Sequence, residues 1–234
     1  RPQQNPGGRL AFMYDVQHLS KTYRKSGETV RALDDLDFKL APCEFLVLHG
    51  ASGSGKTTLL LILGGMLTPS SGAVHCNGVD LYASSRTDRS RFRRSAVGFI
   101  FQQFHLMPYL TACDNIRVAL ALRSGHAHGD IHALAERLGI ADRLSHRPGE
   151  LSVGEQQRVA MARTLICEPD IILADEPTGN LDAANRNIIA ECLAEEHRRG
   201  RTIVLATHEE RLLELGTRTL ELDRGRIKKS SARP

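Results

Sequence analysis

Two short runs in this 234-residue chain carry residue types that handle phosphate esters. The first is Gly50-Ala51-Ser52-Gly53-Ser54-Gly55-Lys56-Thr57-Thr58. Gly50, Gly53 and Gly55 let the backbone turn tightly and come close to a ligand where a Cβ would intrude. Successive N–H groups in such a loop point at phosphate oxygens. Lys56 brings a positive charge to β and γ phosphates, and the Thr57 hydroxyl is placed to ligate Mg2+. With Ser52, Ser54 and Thr58 these residues form a candidate cradle for ATP. The second run is Ile171-Ile172-Leu173-Ala174-Asp175-Glu176. Two carboxylates at the end of an apolar run are costly to bury unless a positive group faces them. Mg2+-ATP is such a partner. Asp175 would hold the metal, directly or through water, and Glu176 would orient or deprotonate the attacking water. The chemistry within reach of these two runs is hydrolysis of a nucleoside triphosphate.

Such groups need rigid supports. Phe45-Leu46-Val47-Leu48 reads as a strand buried on both faces, and residues 58–63 as a helix whose positive end faces the anion. Gly64-Gly65 ends or loosens that helix. Ile171 to Ala174 reads as a second buried strand, which Pro177 stops soon afterwards. Val97-Gly98-Phe99-Ile100-Phe101 is a strand-like run ending at Gln102. Thr202-Ile203-Val204-Leu205-Ala206-Thr207 is a strand followed by His208. A third motif, Leu151-Ser152-Val153-Gly154-Glu155-Gln156-Gln157, begins a helix. Ser152 can cap it, with Glu155 three residues on to complete a capping box. That helix start, with Gly154 beside it, is a second anion site.

Taken together these motifs resemble the ATP-binding cassette (ABC) family, and the resemblance runs from about residue 14 to residue 227. It implies an α/β fold: a P-loop NTPase core with a mainly parallel sheet, an antiparallel β subdomain, and an inserted helical subdomain at about residues 103–165. All of these would form one ABC ATPase domain over residues 14–228. It also implies roles. Ser152 and Gly154 would meet the γ-phosphate held by another copy of the chain. Tyr23 resembles the aromatic residue that stacks on adenine, the alternative being a half-buried core tyrosine. Gln102 resembles the Q-loop glutamine that senses Mg2+ and water, with Gln103 one register away. Asp182, in Gly179-Asn180-Leu181-Asp182, resembles the D-loop that crosses the dimer interface. His208 resembles the switch histidine that contacts the γ-phosphate. Val153 stands where many relatives have glycine.

On this resemblance Glu176, His208, Gln102 and Lys56 are the catalytic candidates, and Thr57, Gln102 and Asp175 the Mg2+ ligands. Two copies would sandwich two ATP molecules as a homodimer. Residues 174–182 and 98–102 look most like the MacB/LolD-type group, with the FtsE type close. That implies a separately encoded integral-membrane permease as partner, and a peripheral place on the cytoplasmic face of the bacterial inner membrane. The task would be efflux, lipoprotein release or force transmission across the envelope.

The remaining sequence fits this plan. At 41% hydrophobic and 25% charged, the chain can bury a core sufficient for one domain with subdomains. No apolar run approaches the roughly 20 residues that span a bilayer, and no cleavable signal is visible. Residues 1–13, rich in Pro, Gly and Gln at their start, are expected to be disordered, and residues 229–234 a loose tail. Five cysteines without CxxC spacing read as reduced thiols. His126, His128 and His132, in and just beyond a glycine-rich stretch, read as a solvated loop rather than a metal site. Alternating strands and helices argue for a sheet covered on both faces, whereas residues 14–40 read as antiparallel strands with Gly27 at a turn.

The net charge of +4 leads to no expectation of nucleic acid as a partner. Arg86, Arg89, Arg91, Arg93 and Arg94 read as a solvated helix face, or as a surface for anionic lipid or nucleic acid. Phe104, Leu106, Met107, Pro108, Tyr109 and Leu110 form either a docking segment for the permease or part of the helical core. A soluble ABC ATPase acting on nucleic acid or ribosomes is the alternative function. Such proteins usually carry two cassettes, long coiled-coil inserts or zinc modules, and the sequence has none of these. A cassette that regulates without hydrolysing would have lost Lys56, Glu176 or His208, and all three are present.

Overall fold

The computed structural model describes residues 13–25, 28–121, 129–179 and 181–232. The expected disorder at residues 1–12, the turn at Gly27, the histidines at 126 and 128, and Asn180 lie outside the described residues. The elements in chain order are β1 (Tyr14–Lys25), β2 (Glu28–Leu40), β3 (Phe45–His49), α1 (Lys56–Leu63), β4 (Ser71–Cys76), β5 (Val79–Asp80), α2 (Arg86–Ala96) and β6 (Val97–Ile100). Then follow α3 (Ala112–Ala121), α4 (Ile131–Arg137), α5 (Val153–Leu165), β7 (Ile171–Asp175), α6 (Ala183–Arg198), β8 (Thr202–Thr207), β9 (Arg218–Asp223) and β10 (Arg226–Ala232).

The short apolar runs become the centre of a six-stranded sheet in the order β10-β9-β3-β8-β7-β6. From β9 to β6 every pairing is parallel, and β10 adds an antiparallel edge. Alternation sorts each strand between two cores. Ile172, Ala174, Ile203 and Leu205 pack with Ile116, Val159, Met161 and Leu193. Ile171, Leu173 and Val204 pack with Leu59, Ile62 and Leu63 of α1 and with Leu36 and Leu40 of β2. Burial on both faces explains why these runs are continuously apolar rather than alternating.

The antiparallel subdomain is a four-stranded sheet, β2-β1-β4-β5. It reaches beyond residues 14–40 to take in β4 and β5. Buried Tyr14 of β1 and half-buried Tyr82, just after β5, complete the end of α1. Tyr14 Oη donates to Leu63 O at 2.9 Å, and Tyr82 Oη lies 2.6 Å from Ile62 O. Carbonyls in the last turn of a helix have no partner within it, so these hydroxyls fix the helix that carries the cradle.

Several expectations need correction. Residues 229–232 are part of β10, paired with β9 at Lys229, Ser230, Ser231 and Ala232, rather than a loose tail. Tyr23 lies within β1, opposite Val30 of β2, which is 49% exposed. Residues 103–111 hold no helix, so the helices of the inserted subdomain are α3, α4 and α5. The arginine cluster forms α2, which buries no residue. Three of its arginines are already engaged: Arg89 with Ser84 O, Arg91 with Asp88, and Arg93 with Gly65 O. Cys43, Cys76, Cys113 and Cys192 are free thiols, and burial pushes those of Cys76 and Cys192 up to about 12. No described helix is long and apolar enough to cross a membrane.

Tyr14→Phe should lower stability to urea by about 1 kcal/mol, because it orphans the Leu63 carbonyl without opening a cavity. Equilibrium denaturation reads this loss. An unchanged midpoint would remove the hydroxyl from the account of how α1 is held.

Candidate nucleotide site

The cradle leaves the C-terminal end of β3 and enters α1. Its glycines answer to protein neighbours as well as to any ligand. Gly55 has a φ of +108°, and a Cβ there would stand 2.5 Å from Ala32 O of β2. At Gly50, φ +148°, it would stand 2.1 Å from Leu222 O of β9. Gly53, φ +77°, faces open space. Ser54 Oγ is buried with no hydrogen-bond partner, as a donor waiting for an anion would be. Ser52 is exposed, and Thr58 half-buried in α1. Lys56, 6% exposed, reaches back to donate to Gly50 O at 2.8 Å and Ala51 O at 3.1 Å.

The carboxylates arrive at the end of β7, separated from β3 in the sheet by β8. Thr57 Oγ1 donates to Asp175 Oδ1 at 3.1 Å. Burial raises the Asp175 carboxyl above its ordinary value, with Glu176 adding to the rise and Thr57 and Lys56 opposing it. Glu176 sits at a φ of +46°, a left-handed conformation that costs a side-chain-bearing residue about 1 kcal/mol or more. Its amide is held by Ala206 O at 2.9 Å. Its carboxylate lies between two side chains: Oε1 is 3.9 Å from Lys56 Nζ, and Oε2 is 2.6 Å from His208 Nδ1.

Lys56, Thr57, Asp175, Glu176 and His208 therefore form one cluster. Gln102 is exposed and lies against the turn after Glu176, with Nε2 3.0 Å from where a Cβ of Gly179 would stand. Gln103 beside it is also exposed. Tyr23 is 39% exposed under Lys21 Nζ, which is 5.3 Å from its ring centroid. It sits on the β1–β2 pair whose Ala32 abuts the cradle at Gly55.

Ser152 and Gly154 stand apart. Among the described residues no hydrogen bond or ion pair joins them to the cradle. Ser152 caps α5 in the expected capping box: its Oγ accepts from Glu155 N at 3.3 Å, and its amide donates to Glu155 Oε2 at 2.8 Å. A Cβ on Gly154 would stand 2.3 Å from the Asn185 side chain, so this glycine admits α6. Asn185 binds Asp182, the N-cap of α6, and Arg158 donates to Asn185 Oδ1. Val153 is 47% exposed.

Sequence reading missed the residues that tie these pieces together. Gln157, 1% exposed, donates to Pro177 O at 2.8 Å and so joins α5 to the Glu176 turn. Thr178 donates to Glu209 Oε1 at 2.6 Å. Only their places beside the motifs signalled them.

Residues 33–179 match the ABC transporter family. The lipoprotein-releasing system ATP-binding protein LolD of Geobacter metallireducens is 43% identical over 224 residues, which are 93% of this chain and 99% of that protein. The macrolide export ATP-binding/permease protein MacB of Chlorobaculum tepidum is 40% identical over 229 residues, 94% of this chain and 35% of that protein. The chain thus spans nearly all of the LolD relative and about a third of the MacB relative. Among solved structures, the dimeric post-hydrolysis state of the ATP-binding cassette MJ0796, bound to ADP and Pi, superposes with a TM-score of 0.86 at 33% identity. The match covers 94% of this chain and 98% of that one.

The capping box makes α5 pH-sensitive. The Ser152 amide first, and Arg143 Nε at 2.8 Å next, hold the Glu155 carboxyl down at about 2, against an ordinary 4.5. The folded value is the lower one, so the stabilisation is complete above pH 4.5 and is lost as pH falls toward 2. The stability gap between wild type and Glu155→Ala in urea should therefore hold constant from pH 6 to about pH 5 and narrow from there to pH 3. A constant gap would show that the charge of Glu155 plays no part.

Proposed function

This chain belongs to the ABC transporter family, as an ATP-hydrolysing cassette of the LolD/MacB type that powers transport, and from that premise we propose how its residues divide the work. The observation that carries the reading is the Glu176 carboxylate, held between Lys56 and His208 at the end of β7. In that place Glu176 orients the attacking water and takes its proton. Lys56 leaves the Gly50 and Ala51 carbonyls to pair with β and γ phosphates, and the cradle amides with Ser52, Ser54 and Thr58 surround the phosphates. His208 holds the γ-phosphate side, and Gln102 reports on it from the Gly179 turn. Tyr23 offers its ring face to adenine.

The donor set suits Mg2+. Thr57 Oγ1 and Asp175 Oδ1 converge, and the buried Asp175 carboxyl lacks a full counter-charge. Mg2+ held by Thr57, Asp175 and Gln102 would neutralise charge on the β and γ phosphates.

Among the described residues Ser152 and Gly154 have no link to their own cradle, which supports a head-to-tail homodimer. The α5 start of one copy faces the γ-phosphate held by its partner, with Asp182 at the interface. ATP then joins two copies, and hydrolysis releases them. The solved relative MJ0796 is a dimer bound to ADP and Pi.

The output passes to an integral-membrane permease, which we assign to a separate chain, with this chain peripheral on the cytoplasmic face of the bacterial inner membrane. Its docking point is the segment after Gln102, where Met107 is 45% and Tyr109 86% exposed. This segment is rigid for a loop. Buried Asn115 binds Met107 N, Met107 O and Leu110 O, and Arg163 of α5 donates to Phe104 O and His105 O. We assign the task to lipoprotein release, efflux or related envelope work, a reading that the names of the relatives support.

Glu176→Gln should keep ATP binding but lower turnover at least 100-fold, by about the worth of a general base. Dimers should accumulate with ATP on size-exclusion chromatography. Hydrolysis near the wild-type rate would remove Glu176 as the base. Ser152→Arg should leave ATP binding to the monomer intact and abolish the ATP-dependent dimer of the Glu176→Gln variant. A dimer that still forms would argue against contact with α5 in trans.

A further inference from the structure

The two turns that carry Glu176 and His208 are joined twice. Glu176 Oε2 meets His208 Nδ1, and two positions on, Thr178 Oγ1 donates to Glu209 Oε1 at 2.6 Å. The first contact is a poor anchor alone, because the imidazole is 62% exposed and pairs at the surface hold little. The second is of another kind. Thr178 is 1% exposed, and a buried hydroxyl that loses its acceptor is costly. Glu209 is fixed from two more directions: its amide donates to Thr207 Oγ1 at 3.0 Å, and Oε2 lies 3.6 Å from Arg186 Nη1. Arg186 is in the first turn of α6, the helix capped by Asp182.

We infer that Thr178 and Glu209 form a latch that positions His208 against Glu176 and ties both turns to the start of α6. His208 lies between Thr207 and Glu209, which are each anchored, so its backbone is held on both sides. The side chain then swings from a fixed base. Through Arg186 the same carboxylate reaches the helix whose N-cap is Asp182, so a shift of that segment on dimer formation reaches His208 in one step. Glu209 and Thr178 are positioning residues: neither meets the nucleotide in this arrangement. The inference rests on the roles proposed above for Glu176 and His208.

The test compares Glu209→Ala, Glu209→Gln, Thr178→Val, Thr178→Ser and the double variant Thr178→Val/Glu209→Ala in the full chain, by kcat, KM for ATP and thermal unfolding. Glu209→Ala and Thr178→Val should each lower kcat at least about tenfold, as misplacing a reacting group does. KM for ATP should stay within about twofold, since the cradle is untouched. Glu209→Gln keeps an acceptor for Thr178, and Thr178→Ser keeps the donor, so both should recover most of the rate. The double variant should be no slower than the slower single, because the pair acts as one unit. Wild-type kcat in Glu209→Ala would overturn the latch. So would additive losses, or KM and unfolding temperature changing in step with kcat without rescue by the conservative variants. Glu176→Gln separates the two failures. If it turns over normally the site assignment falls, and if it is inactive while Glu209→Ala is not, only the latch falls.

Discussion

The structure is organised around a placement problem: two adjacent acids must end a strand that is buried on both faces. Isolated carboxylates in such a setting would cost several kcal/mol. Lys56 meets part of that cost. At 3.9 Å from Glu176 its attraction is about 4 kcal/mol in a medium of effective dielectric about 20. Burial, with Glu176 beside it, holds the Asp175 carboxyl above its ordinary value against the Thr57 hydroxyl and Lys56. The site is therefore incomplete by charge, and what it lacks is positive charge next to a place for phosphate. The parallel order β3-β8-β7 follows from this need. It brings the cradle, His208 and the acid pair out at the same edge of one sheet, three strand ends side by side.

Sterics add a second constraint. Gly50 and Gly55 are often explained by the ligand alone, yet here a Cβ at either would strike a backbone carbonyl of β9 or β2. The cradle is squeezed between the parallel sheet and the antiparallel subdomain. Gly225 N donates to Ser54 O at 3.0 Å and Asp34 N to Gly225 O at 2.8 Å, so the same three segments are stitched by their backbones. The antiparallel sheet is thus part of the site's frame as well as the bearer of Tyr23. The tyrosine hydroxyls at the end of α1 act in the same direction from the other end of the helix.

The legible parts of this chain were those whose chemistry is local. The cradle, the strand before it, the acid pair and the capping box at Ser152 each follow from residues within a few positions of one another, and each stands in the structure where its pattern put it. The expectations that needed correction depended on distant partners. Residues 229–232 look polar and loose, but β9 offers them an open edge, and backbone pairing does not need apolar side chains. Gln157, Thr178 and Glu209 were invisible for the same reason. Their partners are Pro177, Glu209 and Thr178, across 20 or 31 positions, and a polar residue gives no sign in sequence of which buried carbonyl or hydroxyl it will meet.

Val153 can be judged by the same logic. Glycine is required at a helix start when φ is positive or when a neighbour presses close. Gly154 meets the second condition, with Asn185 against it, and α5 begins at Val153 with Ser152 as an extended cap. Val153 has no positive φ, and its side chain points outward with 47% exposed. Inside the chain the valine therefore costs little beyond the lower helix propensity of a β-branched residue. Whatever it changes must lie outside the chain, on the surface that the start of α5 presents. The cap itself, the Ser152 hydroxyl and the free amides of the first turn are unaltered by the extra carbons. The departure from glycine bears on how closely a facing surface can approach, not on whether the anion site at the helix start exists.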